Sequence, residues 1–225
     1  CGKQCSVRHA LSCKTGGLVI ARHDEIKYEI GALAMLALNK SAVVDEPKTT
    51  HCRTSDTAQA NSATTPTFIP SATATADTRG DLLIRGCFAK GTDLIVDIRV
   101  TDLDAASYGL TPSEKILARH EREKKSKYLK DCQYLRRHFA PLVFSADGMA
   151  AKEAKAFLQH LSAMIAKKWN KPYSQVCGYV NARMSIAIVR ATHMCLRGSR
   201  IPSSQMCYRR QTWEGGAGLG LFQYN

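Results

Sequence analysis

The sequence predicts an α/β fold, a small mixed β-sheet flanked by helices with extra helices toward the C-terminal end. Three observations predict it. Short β-branched runs at 42–46, 81–86, 93–101 and 141–145 read as strands. Segments with apolar residues every three or four positions fall before, between and after them. The order is helix, strand, two strands, helix, strand, helices, which a sheet covered on both faces accommodates.

Residues 1–15 are polar and Cys-rich. Residues 22–38 form a predicted helix, with Ile26, Ile30, Leu33 and Ala37 on one stripe and Glu25 and Glu29 on another. Ala42–Glu46 is a short strand stopped by Pro47. Nineteen of the thirty residues from 49 to 78 are Thr, Ala or Ser, so a flexible insertion is expected there instead of a second core. Strands 81–86 and 93–101 follow. Thr111-Pro112-Ser113-Glu114 predicts a helix start, with Thr111 as the cap and Pro112 in the first helical position. That helix is expected to reach about His138, where Pro141–Ser145 resumes the sheet. Two amphipathic helices are predicted at 149–168 and 174–196, and no internal repeat is visible.

The chain has 225 residues and a formal net charge of +13. Such a balance favours a polyanionic partner. The charge is concentrated: 154–213 contains ten Lys and Arg and no acid, and 115–138 contains nine bases against three acids. The arginines at 183, 190, 197 and 200 are expected to track nucleic-acid phosphates, with Arg22, His23, Arg99 and Lys125 as further candidates. No apolar run is long enough for a helical membrane span, and no membrane partner is expected. Nine dispersed cysteines suggest a reducing compartment with buried thiols and one metal cluster. Starting at Cys1 without Met, the chain is expected to be a piece of something longer.

Asp81 and Asp97 carry the main chemical signal. Fifteen residues separate them, enough for a hairpin and its two arms. Two carboxylates on adjacent strands suit Mg or Mn, which can activate water against a phosphodiester. A charge at 97, flanked by Ile95, Val96, Ile98 and Val100, is costly unless it has a partner. Asp93 is the weaker alternative. On the following helix Lys124 falls inside the apolar stripe through Leu117, Tyr128 and Cys132, and Lys127 lies a quarter turn outside it. Either is a candidate to position water or neutralise the phosphate. Glu46 is a supporting acid or a turn residue. Cys1, Cys5, His9 and Cys13 form C-x3-C-x3-H-x3-C, a spacing suited to tetrahedral Zn.

Several of these residues occur in an ordered set. Cys1-x3-Cys5-x3-His9-x3-Cys13 is followed by Arg22-His23-Asp24-Glu25-Ile26, Glu46-Pro47, Gly80-Asp81-Leu82, Val96-Asp97-Ile98-Arg99-Val100 and Lys124-x2-Lys127-Tyr128. The set resembles the C-terminal region of site-specific non-LTR retrotransposon polyproteins. There a Cys/His zinc knuckle precedes a restriction-endonuclease-like domain of the PD-(D/E)xK class. The resemblance covers about residues 1–145, and more weakly the helices to about 200.

It implies a metal-dependent endonuclease that nicks target DNA to prime reverse transcription in the nucleus. The implied partners are the DNA target, the element RNA and the adjoining reverse transcriptase domain. It divides the chain into a partial knuckle at 1–15, a nuclease domain at 16–148 and a basic helical extension at 149–225. It also implies that Glu25 lies near the metals, and that the working lysine comes from the Lys-x-x-Lys-Tyr helix. Cys1 would then belong to a Cys-x-x-Cys pair, with Cys5 in an apolar slot of the knuckle. Two departures stand out: Gly80 replaces the usual Pro, and Arg99 occupies the position usually held by Lys. Arg stays protonated and is a poor base. The competing expectation is an inactive nucleic-acid-binding module attached to a reverse transcriptase.

Overall fold

The structure, a computed structural model, describes residues 2, 6–15, 18–47 and 79–198. The predicted insertion at 49–78 and the tail beyond 198 lie outside the described residues. Helices are α1 Val7–Ser12, α2 Leu18–Ala37, α3 Ser113–Tyr134, α4 Lys152–Trp169 and α5 Tyr173–Arg197. Strands are β1 Val43–Asp45, β2 Leu82–Arg85, β3 Asp93–Thr101 and β4 His138–Ser145. The sheet order is β1-β2-β3-β4, with the first two pairings antiparallel and β3-β4 parallel. A mixed sheet with flanking helices is therefore what the chain builds.

Alternation along β3 sorts the layers. Leu94, Val96 and Ile98 face the larger core, together with Ile26, Ile30 and Leu33 of α2, Phe157, Leu161 and Ile165 of α4, and Val180, Met184 and Ile188 of α5. On the opposite face Ile95 packs with Leu83, Phe139, and Tyr128 and Cys132 of α3. Leu117 of α3 joins Val143 and Ala151 in a neighbouring cluster. The helices after 148, which the sequence reading separates as an extension, thus complete the same core as the sheet.

Two helix ends differ from expectation for local reasons. Pro112 has ψ 138°, outside the helical region, so it occupies the N-cap position and Ser113 starts α3; no side-chain cap forms. At the other end Arg136 takes a left-handed φ of 53°. Its N–H bonds Gln133 O and the Arg137 N–H bonds Cys132 O, the pattern that closes a helix in a Schellman motif. α3 therefore stops at Tyr134, and β4 begins at His138, three residues before the expected strand.

The outer edge of β4 is also managed. Ala151 N bonds Val143 O and Ser145 N bonds Met149 O, so the odd-numbered backbone groups of β4 point away from β3. Pro141 shares that parity and presents no N–H to a foreign strand.

Candidate active site

β2 begins at Leu82, opposite Val96, and Asp81 N bonds Val96 O. Asp81 lies one residue outside that pairing, and its charge acts on Asp97 across the strand end. Because β2 has ended, the Ile98 N–H lacks a ladder partner on that side, and the Asp81 carboxylate accepts it through Oδ2. The strand end thus fixes the first carboxylate beside the second.

Asp97 lies on the face covered by α3 and is 4% exposed. Lys124 Nζ reaches to 2.6 Å from its Oδ2. Burial pushes the Asp97 carboxyl above its ordinary range; Lys124 opposes this, and the neighbouring Asp81 charge adds to it. Burial acts the same way on Asp81, but there His23, the Ile98 amide and Lys124 outweigh it, and the net shift is downward.

His23 of α2 is the residue whose role the sequence reading missed. Its Nε2 lies 3.2 Å from Asp81 Oδ2 and its Nδ1 3.2 Å from Asp24 Oδ1. Burial lowers its pKa, but the two carboxylates prevail and hold it up at about 9. His23 is therefore a positive group inside the site. The adjacency of His23 and Asp24 was the available signal, but a single sequence does not show that Asp81 closes on the ring.

Lys124 and Lys127 diverge. Lys124 contacts Asp97, whereas Lys127 is exposed and sits 4.7 Å from the Tyr128 ring centroid. Arg99, two residues beyond Asp97 on the same face, pairs with Glu123 at 2.9 Å. Glu123 also meets His120 Nδ1 at 3.0 Å, and His120 Nε2 lies 3.0 Å from the Tyr108 hydroxyl. This chain of polar contacts holds Arg99 on Glu123 and was not visible in the sequence.

Other expected site residues lie elsewhere. Glu25 is about 200° around α2 from His23, and it pairs with Arg190 of α5 at 3.0 Å. Arg183 pairs with Glu29, so two arginines expected on phosphate stitch α2 to α5. Arg22 is 3% exposed and donates to Leu11 O at the end of α1, which removes it from DNA. Lys125 pairs with Glu153, whose N–H bonds Glu121 Oε1 at 2.8 Å. Glu46 leaves β1 with a φ of 46° and faces Lys27 and Arg79. Asp93 pairs with Arg137 at 3.6 Å. Arg197 is exposed at the end of α5, and Arg200 lies outside the described residues.

Of the expected zinc ligands, Cys1 and Cys5 lie outside the described residues; His9 falls in α1 and Cys13 at its C-cap. Among the described residues no group of three or more His, Cys, Asp or Glu is arranged to hold a metal ion. Mg often takes only one or two protein carboxylates and completes its shell with water and substrate oxygens. Asp81 and Asp97 supply two neighbouring carboxylates and fit that pattern. No helix among the described residues is long and apolar enough to cross a membrane. Comparison with protein-family models and with curated proteins finds no match to this chain.

Proposed function

We propose that the chain is a metal-dependent DNA endonuclease domain of a retrotransposon polyprotein, nicking target DNA to prime reverse transcription. The observation that carries this reading is a buried Asp97 under the influence of the Asp81 charge, with Lys124 Nζ 2.6 Å from its carboxylate. A structural role alone does not call for it: two neighbouring like charges, one of them buried, cost stability. Asp81 and Asp97 would hold a divalent Mg or Mn ion, which when bound supplies an acidified water and neutralises phosphate charge.

The chain's own groups do the rest. The Ile98 amide and His23 fix the Asp81 carboxylate. Lys124 brings positive charge to where a phosphodiester approaches Asp97 and stabilises the charge that builds on its oxygens. Lys115, Arg119, Arg122, Lys127 and Lys130 are exposed along α3, the helix covering this face. Such a row suits a DNA backbone and carries little sequence information by itself.

Nicking of supercoiled plasmid in Mg or Mn tests the reading. Wild type should convert it to open circles, and Asp97→Ala should lose at least about a hundredfold of that rate. Undiminished nicking by Asp97→Ala refutes the assignment. A second reading, an inactive nucleic-acid-binding module, draws on the Arg99–Glu123 pair, which ties up the group at the usual lysine position. It predicts salt-sensitive DNA binding with no cleavage by wild type.

A further inference from the structure

We propose that Leu110 is a DNA wedge: it inserts at a base step of the duplex held along α3 and biases nicking toward steps that unstack easily. The inference rests on the endonuclease reading. It adds a source of target preference that a row of phosphate contacts does not supply.

A tight turn sets the leucine outward. Thr111 N bonds Tyr108 O at 3.1 Å, which closes a four-residue turn with Gly109 and Leu110 at its centre. Gly109 has φ 54° and ψ −130°, the conformation of the first central residue of a type II′ turn, where any side chain is strained. Leu110 is 103% exposed, so its whole side chain stands in solvent. A single exposed leucine is ordinary on a protein surface. This one differs in being fixed, and in what surrounds it.

Tyr108 is the mount. Its hydroxyl lies 3.0 Å from Nε2 of His120, which is buried in α3. Arg119 sits over the Tyr108 ring, 5.3 Å from its centroid. The turn is thereby tied to α3 from both sides of the tyrosine. The same contacts relate the tip to the carboxylates: His120 meets Glu123, Glu123 meets Arg99, and Arg99 lies two residues beyond Asp97 on β3. The start of α3 exposes Lys115 and Arg119 against Glu114. The turn leads directly into that basic row.

Proteins that kink DNA combine backbone cations with an apolar side chain that enters between bases, exchanging stacking for buried apolar surface. Leu110 brings the apolar side chain and α3 the cations. Leucine has no hydrogen-bonding group with which to read a base edge. It selects by deformability instead, and pyrimidine–purine steps such as TA part most easily.

The experiment uses the full chain, without divalent cation, on duplexes in which 2-aminopurine replaces one adenine at a time, at TA and at AA steps. Wild type is compared with Leu110→Ala and Leu110→Met, which should keep its urea midpoint because the side chain is fully exposed. The expected result is brightening of 2-aminopurine at a TA step under saturating wild type or Leu110→Met, and none under Leu110→Ala. Leu110→Ala should also bind the TA duplex about tenfold more weakly, with an unchanged salt dependence because no phosphate contact is lost.

Equal brightening by Leu110→Ala overturns the wedge, as does a wild type that binds the duplexes and brightens none. Leu110→Ala that matches wild type in every DNA property assigns the leucine to a protein contact, which also overturns it. Plasmid nicking separates the two claims. Binding and nicking without brightening remove only the wedge, whereas no duplex binding and no nicking remove the endonuclease reading as well.

Discussion

The Asp97–Lys124 pair predicts an asymmetric response to substitution. Lys124→Met strands a carboxylate that is 4% exposed. Breaking a buried pair from one side costs about 3–5 kcal/mol. The Lys124 side chain is itself 23% exposed, so water reaches the pair and about 2 kcal/mol is the fitting magnitude. Asp97→Asn acts differently. It removes a charge that burial and Asp81 both disfavour, and it frees a lysine long enough to turn to solvent. Its effect should stay within about 1 kcal/mol of wild type.

In the double variant Asp97→Asn/Lys124→Met the lysine has no buried partner to strand, so its removal should cost about 0.5 kcal/mol or less. The coupling energy is then about 1.5 kcal/mol. Urea unfolding in EDTA, followed by circular dichroism, reads all four proteins. The matching thermal shift for Lys124→Met is a loss of about 4–8 °C in a chain of this size. If Lys124→Met costs the same in the Asp97→Asn background as in wild type, the two groups are independent, and the burial argument for Asp97 is wrong.

Three further outcomes follow from the fold. Glu121 accepts the Glu153 N–H at the start of α4, but burial dominates and raises its pKa. A raised acid binds more protons folded than unfolded, so its contribution is complete below the unfolded pKa and fades as pH rises through the folded one. Glu121→Gln should therefore be more stable than wild type at pH 7, with the advantage disappearing below about pH 4 in urea titrations. Lys168 Nζ donates to Leu36 O and Leu38 O at the C-terminal end of α2. Lys168→Ala should cost about 0.5–1 kcal/mol in the same assay, reduced in high salt. Pro47 O accepts from Gly80 N and Asp81 O from Glu46 N, so the chain leaves and re-enters the sheet at one narrow neck. Replacing 48–78 by Asn-Gly should keep the fold and stabilise it by about 2 kcal/mol through shorter loop closure, read as a higher urea midpoint; loss of native near-ultraviolet dichroism would show that the neck does not close alone.

Parts of this architecture that depend on local pattern were legible in the sequence. Period-two runs located β2 and β3, which pair as the antiparallel hairpin that the spacing of Asp81 and Asp97 implies. Extending the α3 stripe at 100° per residue placed Lys124 under the helix, where it meets Asp97. The same rule, applied to α2, would have buried Arg22, because it precedes Ile26 by one turn on the apolar stripe. Reading Arg22 as a phosphate contact gave its charge more weight than its position. Other misplacements had no local signal. Glu25 meets Arg190 and Glu29 meets Arg183 because α2 packs on α5, some 150 residues away in sequence, and charge alone does not choose such partners. The acid-free stretch read as a binding face is therefore partly a matching surface for the acids of α2.

β3 shows where local preference and fold disagree. Leu94, Val96 and Ile98 satisfy the main core, and Ile95 does the same under α3. The alternation then asks for an apolar residue at 97, and the sequence supplies Asp. α3 lends Lys124 and α2 lends the His23 charge against that choice, while Asp81, fixed on the free Ile98 amide where β2 stops, adds to its cost. A leucine at 97 would need none of these. When a strand breaks its own pattern and three other elements converge on the exception, selection for stability is a poor explanation. The proposed chemistry at the carboxylates would account for all four features together.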